Sequence, residues 1–167
     1  MTGAGKFKRD ELQGVYRAIR ERCNVRSGFL PEPLSEQVLG RLLNAAHHAP
    51  SVGLMQPWRF ILIQAIEIRK AVHDIFLRSN QAALDIYEGD RTQKYASLKL
   101  EGILEAPQNL CIVCDPDWER GHRLGRLSTP ETALYSAVCA VQNLWLAAQA
   151  EGVGVGWVSY SRQASPS

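Results

Sequence analysis

A chain of 167 residues with 46% apolar side chains and a formal net charge of +2 is long enough to bury one real core and too apolar to be disordered throughout. Its 19 basic and 17 acidic residues are interspersed, which speaks against a phosphate-tracking nucleic-acid surface as the main partner. No apolar run reaches bilayer-spanning length and the opening MTGAGKFKRD lacks a signal-peptide core, so the expectation is a cytoplasmic protein whose partners are neither nucleic acid nor membrane.

Residues 10–23 place Leu12, Val15, Tyr16 and Ile19 at helical spacing. Ser35 is the expected cap of a second helix, with Val38, Leu39, Leu42, Leu43 and Ala46 on one face. That helix ends near His48, and an apolar strand begins in WRFILIQ. Between them lies APSVGLMQPW, where Pro50, Gly53 and Pro57 impose an irregular connection of the kind that holds binding groups between packed elements. Helical patterns follow over 67–87 and 91–105, then a strand around Cys111. The polar stretch over 115–128 is expected to be a long loop or mobile lid. Thr129 reads as an N-cap with Pro130 at the first helical position, and the helix it starts runs to about Glu151 and closes at Gly152. VGVGWVSY reads as the last strand.

The potential metal ligands are poorly arranged. Cys111 and Cys114 lie three apart on a strand, which turns them to opposite faces, whereas a metal knuckle needs both thiolates on one side. Cys23 and Cys139 read as small apolar residues. His47 and His48 are adjacent on a helix and diverge by about 100°. No metal site is expected.

The long last helix is apolar nearly all round. Ala133, Leu134, Ala137, Val138, Ala140, Val141, Leu144, Trp145, Leu146, Ala147 and Ala148 leave little polar face. It is therefore buried on several sides, either at the centre of the domain or in a subunit interface. The glycines of GVGVGW that follow stand in the order helix, glycines, strand, the reverse of a dinucleotide fingerprint, and suit close approach to a flat ligand or a neighbouring helix. RCNVR, where the first helix ends, offers either a solvated charged face or a guanidinium pair able to clamp a terminal phosphate.

Taken in order, FLPEPLS, APSVGLMQPW, KYASLKLEGI, LYSAVCAVQNLWLAA and AEGVGVGWVS resemble the FMN-dependent nitroreductase family, and within it the flavin-destroying 5,6-dimethylbenzimidazole synthase branch. The resemblance covers roughly residues 12–159. It implies an α+β fold, the nitroreductase-like three-layer α-β-α sandwich, in an obligate homodimer with FMN at the subunit interface. Arg22, Asn24 and Arg26 match the segment that binds phosphate and ribityl chain. Pro50, Ser51, Met55 and Gln56 fall in the loop that reaches the flavin from the other subunit. Val155, Gly156, Trp157, Val158 and Ser159 match the strand along the isoalloxazine edge, where backbone N–H groups and the Ser159 hydroxyl bond to the ring.

The implied chemistry takes the flavin as substrate. Reduced FMN, supplied by a separate flavin reductase, reacts with dioxygen in a closed pocket and is fragmented to 5,6-dimethylbenzimidazole, the lower ligand of cobalamin, and erythrose 4-phosphate. Asn24 and Ser159 are the candidate catalytic residues. Asn24 stands where the branch has Asp, and a neutral amide hydrogen-bonds without accepting a proton. The family also continues past the point where this sequence stops, so residues 1–160 are expected to be a domain truncated at its C-terminus, followed by a tail over 161–167 without helix or strand period. Two other readings stand beside this one: an FMN-dependent nitroreductase or flavin reductase using NAD(P)H, and a catalytically silent FMN-binding fragment.

Overall fold

A computed structural model of the chain describes residues 5–86, 88–89, 92–93, 102–120, 125 and 128–158. In order, the elements are α1 (Arg9–Glu21), α2 (Glu36–His47), a single 3₁₀ turn (Val52–Leu54), β1 (Trp58–Ile63), α3 (Ile66–Leu84), β2 (Asn109–Cys114) and α4 (Thr132–Ala150). β1 and β2 pair in a two-stranded antiparallel sheet, prolonged by the Asp115 N–H donating to the Pro57 carbonyl at 2.7 Å. Helices with this sheet make the fold α+β, as expected. Cys111 and Cys114 both lie on β2.

Local chemistry explains three of the element ends. Glu11 accepts the Lys8 N–H at 2.7 Å and so closes the start of α1. Ser35 Oγ accepts the Val38 N–H at 3.3 Å, the cap expected for α2. At the far end of α4, Gly152 takes φ +72. The Val153 N–H donates to the Ala148 carbonyl at 2.8 Å and the Gly152 N–H to the Gln149 carbonyl at 3.2 Å, the two bonds by which a left-handed glycine stops a helix.

Three boundaries differ from expectation. Thr129 and Pro130 do not open α4: the Thr132 N–H and Oγ1 both bond to the Thr129 carbonyl, making a tight turn, and the helix begins at Thr132. The described end of the 91–105 pattern is a turn rather than helix over 103–105. Its carbonyls are drawn off by Arg69, whose guanidinium donates to Ile103 O at 2.8 Å, to Leu104 O at 3.0 Å and to Ala106 O. Residues 153–158, the described part of the expected last strand over 153–160, form no strand. The backbone donor of Trp157 goes to a side chain instead.

The chain divides into two compact units. One comprises Met1–Cys23, Ser35–Ile61 and Ile112–Val155 and is organised around α4, which packs against α1, α2 and the 3₁₀ turn. Ala133, Ala137, Ala140, Leu144 and Ala148 are buried on α4, facing partners that include Leu42 and Ala46 of α2. Alanines at this spacing let helices approach closely, and Asn143 Nδ2 reaches the Ala45 carbonyl at 3.2 Å. On the opposite side of α4, Leu134 and Tyr135 are 56% and 57% exposed. The apolar stripe of α1 is likewise open, with Tyr16 52% and Ile19 48% exposed.

The second unit comprises Asn24–Leu34, Leu62–Cys111 and Gly156–Ser167. Within it α3 buries Phe76, and the turn after the helix buries Ile103. Asn109 Nδ2 adds a donor to the Ile103 carbonyl at 3.1 Å.

Candidate functional site

Residues 22–26 leave α1 at its C-cap. Arg22 has φ −57 and ψ 124, a non-helical pair that turns the chain out, while its N–H still bonds to Ala18 O. Its guanidinium carbon lies 4.5 Å from the ring centroid of Trp145 on α4, and the indole Nε1–H donates to the Cys23 carbonyl at 3.2 Å. Stacking on an indole fixes a guanidinium that would otherwise sample many rotamers. Sequence reasoning assigned Trp145 to the core; the signal for more was a large polar-tipped ring in a stripe of alanines.

In the second unit, Asn24 Oδ1 accepts the Trp157 backbone N–H at 2.7 Å. Two glycines press on the same segment. A Cβ on Gly156 would overlap the Val25 carbonyl oxygen, and one on Gly102 would sit 2.5 Å from the Phe29 ring and 3.2 Å from the Arg26 carbonyl. At position 156 only glycine fits without displacing the backbone, and at 102 a larger residue would have to move the Phe29 ring.

Arg22 Nε and Arg26 Nε are both buried and donate to nothing. Leaving a buried donor unpaired costs about 1–3 kcal/mol, more when it is charged, so each asks for an acceptor. An oxyanion is the acceptor that suits a charged donor of this kind.

The loop before β1 is built on left-handed backbone. Gly53, Leu54 and Gln56 have φ of +54, +57 and +49, a conformation that costs a non-glycine residue about 1–2 kcal/mol and that recurs at functional sites. Ser51 holds it, with Oγ accepting the Gln56 N–H at 3.0 Å, and Ser136 of α4 accepts the Val52 N–H at 3.1 Å. Pro50 is exposed and Met55 is buried at 2% exposure, so the Met55 side chain supports the loop from within. Gln56 donates to His47 O at 3.3 Å and accepts from Arg120 Nη1 at 3.0 Å. Leu54, which sequence reasoning passed over, is the side chain the loop displays, at 80% exposure.

The described start of the 115–128 stretch is fastened down. Arg59 lies over the Trp118 ring at 4.2 Å, with Nη2 3.6 Å from Asp115, and Arg120 holds Gln56. Burial first, then the Asp115 charge, raises the Cys114 thiol pKa. With His47 and Trp58 these groups line a concavity of about 120 Å³, well below the roughly 300–1,000 Å³ of small-molecule pockets. Val155 and Val158 are half-buried, Gly156 and Trp157 exposed. Ser159 and the tail over 161–167 lie outside the described residues, as does most of the 121–127 stretch.

The profile of the Nitroreductase family matches residues 19–165. The chain belongs to the nitroreductase family. Its 5,6-dimethylbenzimidazole synthase relative from Rhodospirillum rubrum is 45% identical over 151 residues, covering 90% of this chain and 70% of the relative. Among solved structures, a BluB-like flavoprotein from Clostridium difficile 630 aligns with a TM-score of 0.65 at 20% identity, over 87% of this chain and 74% of that one. A nitroreductase with bound FMN from Desulfitobacterium hafniense aligns at 0.58 and 24% identity, over 84% of this chain and 67% of that one. The family fold anticipated from the sequence motifs is thus the fold the chain has.

Proposed function

We propose that this chain is a 5,6-dimethylbenzimidazole synthase that binds reduced FMN and fragments it with dioxygen, yielding 5,6-dimethylbenzimidazole and erythrose 4-phosphate. The observation carrying this reading is 45% identity to a relative of that name across 90% of the chain. The residues present suit the ligand: Arg22 Nε and Arg26 Nε are buried donors without an acceptor, and a phosphate oxygen would supply one to each. Reduced FMN supplies both the electrons for dioxygen and the carbon that becomes product. Arg22, on its Trp145 platform, and Arg26 hold the phosphate. Asn24 meets the ribityl chain, and the backbone of 155–158 with the Ser159 hydroxyl meets the ring edge. Ser51 Oγ orders the loop of Pro50, Met55 and Gln56.

A second copy of the chain belongs to this reading. The exposed apolar faces of α1 and α4 and the displayed Leu54 form the surface on which it docks, so that the loop of one subunit serves the flavin of the other. The setting is cytoplasmic, with reduced FMN drawn from a separate flavin reductase. Among the described residues, no helix is long and apolar enough to cross a membrane.

Asn24 favours a second reading, a flavoprotein that binds FMN without fragmenting it. An amide takes no proton at physiological pH, and its oxygen is already engaged by Trp157. Reconstituting the protein anaerobically with reduced FMN, admitting oxygen and identifying products by mass spectrometry decides between them. 5,6-Dimethylbenzimidazole supports the synthase; bound flavin reoxidised intact supports the silent binder. Nicotinamide oxidation dependent on bound FMN points instead to a nitroreductase or flavin reductase.

A further inference from the structure

A backbone N–H can only donate, so the Asn24 atom 2.7 Å from the Trp157 nitrogen is the amide oxygen. This fixes the other end. Nδ2 faces away from Trp157, and it donates to no described residue. Turning the amide over would set two donors against each other and break the bond.

The backbone of the 24–26 segment is closely approached by two glycines. Gly156 sits hard against the Val25 carbonyl, and Gly102 stands close to both the Arg26 carbonyl and the Phe29 ring. The 24–26 segment is therefore pressed at two places by residues remote in sequence, and it carries the orphaned Nε of Arg26.

We propose that Asn24 is a specificity-determining residue that presents hydrogen-bond donors, not acceptors, to its ligand, and that Trp157 sets this polarity by holding the amide oxygen. The proposal rests on the FMN reading for the ligand's identity. The complementary group is an oxygen acceptor, which FMN offers both as ribityl hydroxyl and as phosphate. A carboxylate at position 24 would keep the Trp157 bond, because a carboxylate oxygen accepts an N–H as readily, yet it would turn a second acceptor toward the ligand. Asn and Asp here are thus equivalent toward the protein and opposite toward the ligand.

The full-length chain and its Asn24→Asp and Asn24→Ala variants test this. Dissociation constants for oxidised FMN and riboflavin are measured by fluorescence quenching from about pH 4 to about pH 8.5, each expressed as a ratio to wild type so that titration of the FMN phosphate cancels. Asn24→Asp is expected to bind at least about tenfold more weakly at the alkaline end, with the ratio recovering toward acid as the protonated carboxyl becomes a donor. Loss with both flavins places the acceptor on the ribityl chain, and loss with FMN alone places it on the phosphate. A residue that merely holds Trp157 would give equal affinity and a flat ratio, which would overturn the proposal.

A flavin-free readout tests the tie itself. Amide exchange at Trp157 is expected to be slow in wild type and Asn24→Asp and faster in Asn24→Ala. Unchanged exchange in Asn24→Ala also overturns the proposal. A wild-type chain that binds neither flavin defeats the functional reading together with this proposal, whereas tight wild-type binding matched by Asn24→Asp defeats this proposal alone.

Discussion

The guanidinium of Arg22 rests 4.5 Å above the indole of Trp145, whose N–H reaches the next residue's carbonyl, Cys23 O, at 3.2 Å. One side chain of α4 thereby orients both a cation and the backbone beside it. Trp145→Leu removes the platform and the bond together. The expected result is an FMN affinity lower by about 1–3 kcal/mol, from a cation–π contact of about 0.5–2 kcal/mol and one neutral hydrogen bond. Trp145→Phe is expected to lose less, since it keeps a ring. Isothermal titration with FMN measures both.

Arg22→Ala and Arg26→Ala address the phosphate directly. Each is expected to cost roughly 2–5 kcal/mol of FMN binding if its contact is desolvated, while riboflavin, without a phosphate, is nearly indifferent. Equal losses with the two flavins would assign the arginines to folding instead.

Asn24→Asp bears on turnover. At matched occupancy by reduced FMN, restoring a proton-accepting group is expected to raise the 5,6-dimethylbenzimidazole yield by about tenfold or more, even though the carboxylate binds flavin less tightly. Product is quantified by mass spectrometry, because oxygen uptake also counts peroxide released without fragmentation. Ample product from the Asn24 chain with no gain from Asp would place the proton acceptor elsewhere.

The open faces of α1 and α4 make self-association measurable. Sedimentation is expected to show a dimer, and Tyr16→Glu combined with Val138→Glu to shift it toward monomer with a parallel loss of FMN affinity. A wild-type monomer that binds FMN tightly would remove the second subunit from the site.

Arg41 on α2 grips Glu151 after α4 through two bonds of 2.6 and 2.8 Å. The hydrogen bond from Arg41 holds the Glu151 carboxyl below its ordinary 4.5. A depressed carboxyl contributes stability that is complete above the ordinary value and is lost as pH falls through the depressed one. The pair is solvent-exposed, so the effect is small. The difference in melting temperature between wild type and Glu151→Gln is expected to be constant near neutrality and to vanish as pH falls through the lowered value.

What the sequence made legible was local. Ser35 bonds three residues ahead and Gly152 closes the helix immediately before it, so side chains adjacent in sequence suffice to place both ends. The order of helices and strands leading to the family resemblance rests on the same short-range periodicities. The expected strand over 153–160 and the expected helix over 91–105 differ from the structure in their described parts, 153–158 and 103–105, where backbone groups bond far away: the Trp157 N–H to Asn24 across 133 residues and the Ile103 carbonyl to Arg69 across 34. In the site, the arginines are visible in the sequence as charges, but the Trp145 platform under Arg22 exists only once α4 is packed. Met55 looked like a ligand-facing residue, and only its burial shows that it props the loop.

Arg69 also says something about the order in which the chain folds. Its carbonyl partners lie 34 to 37 residues downstream, so Arg69 adds its bonds to the 103–106 turn only once α3 exists and the intervening chain has returned to it. α2, capped by its own neighbour Ser35, needs no such return. Closing a loop of that length precedes any reward from the contacts it brings together. The Arg69 cluster therefore belongs to the late side of the folding barrier, where a substitution speeds unfolding while leaving the refolding rate nearly unchanged.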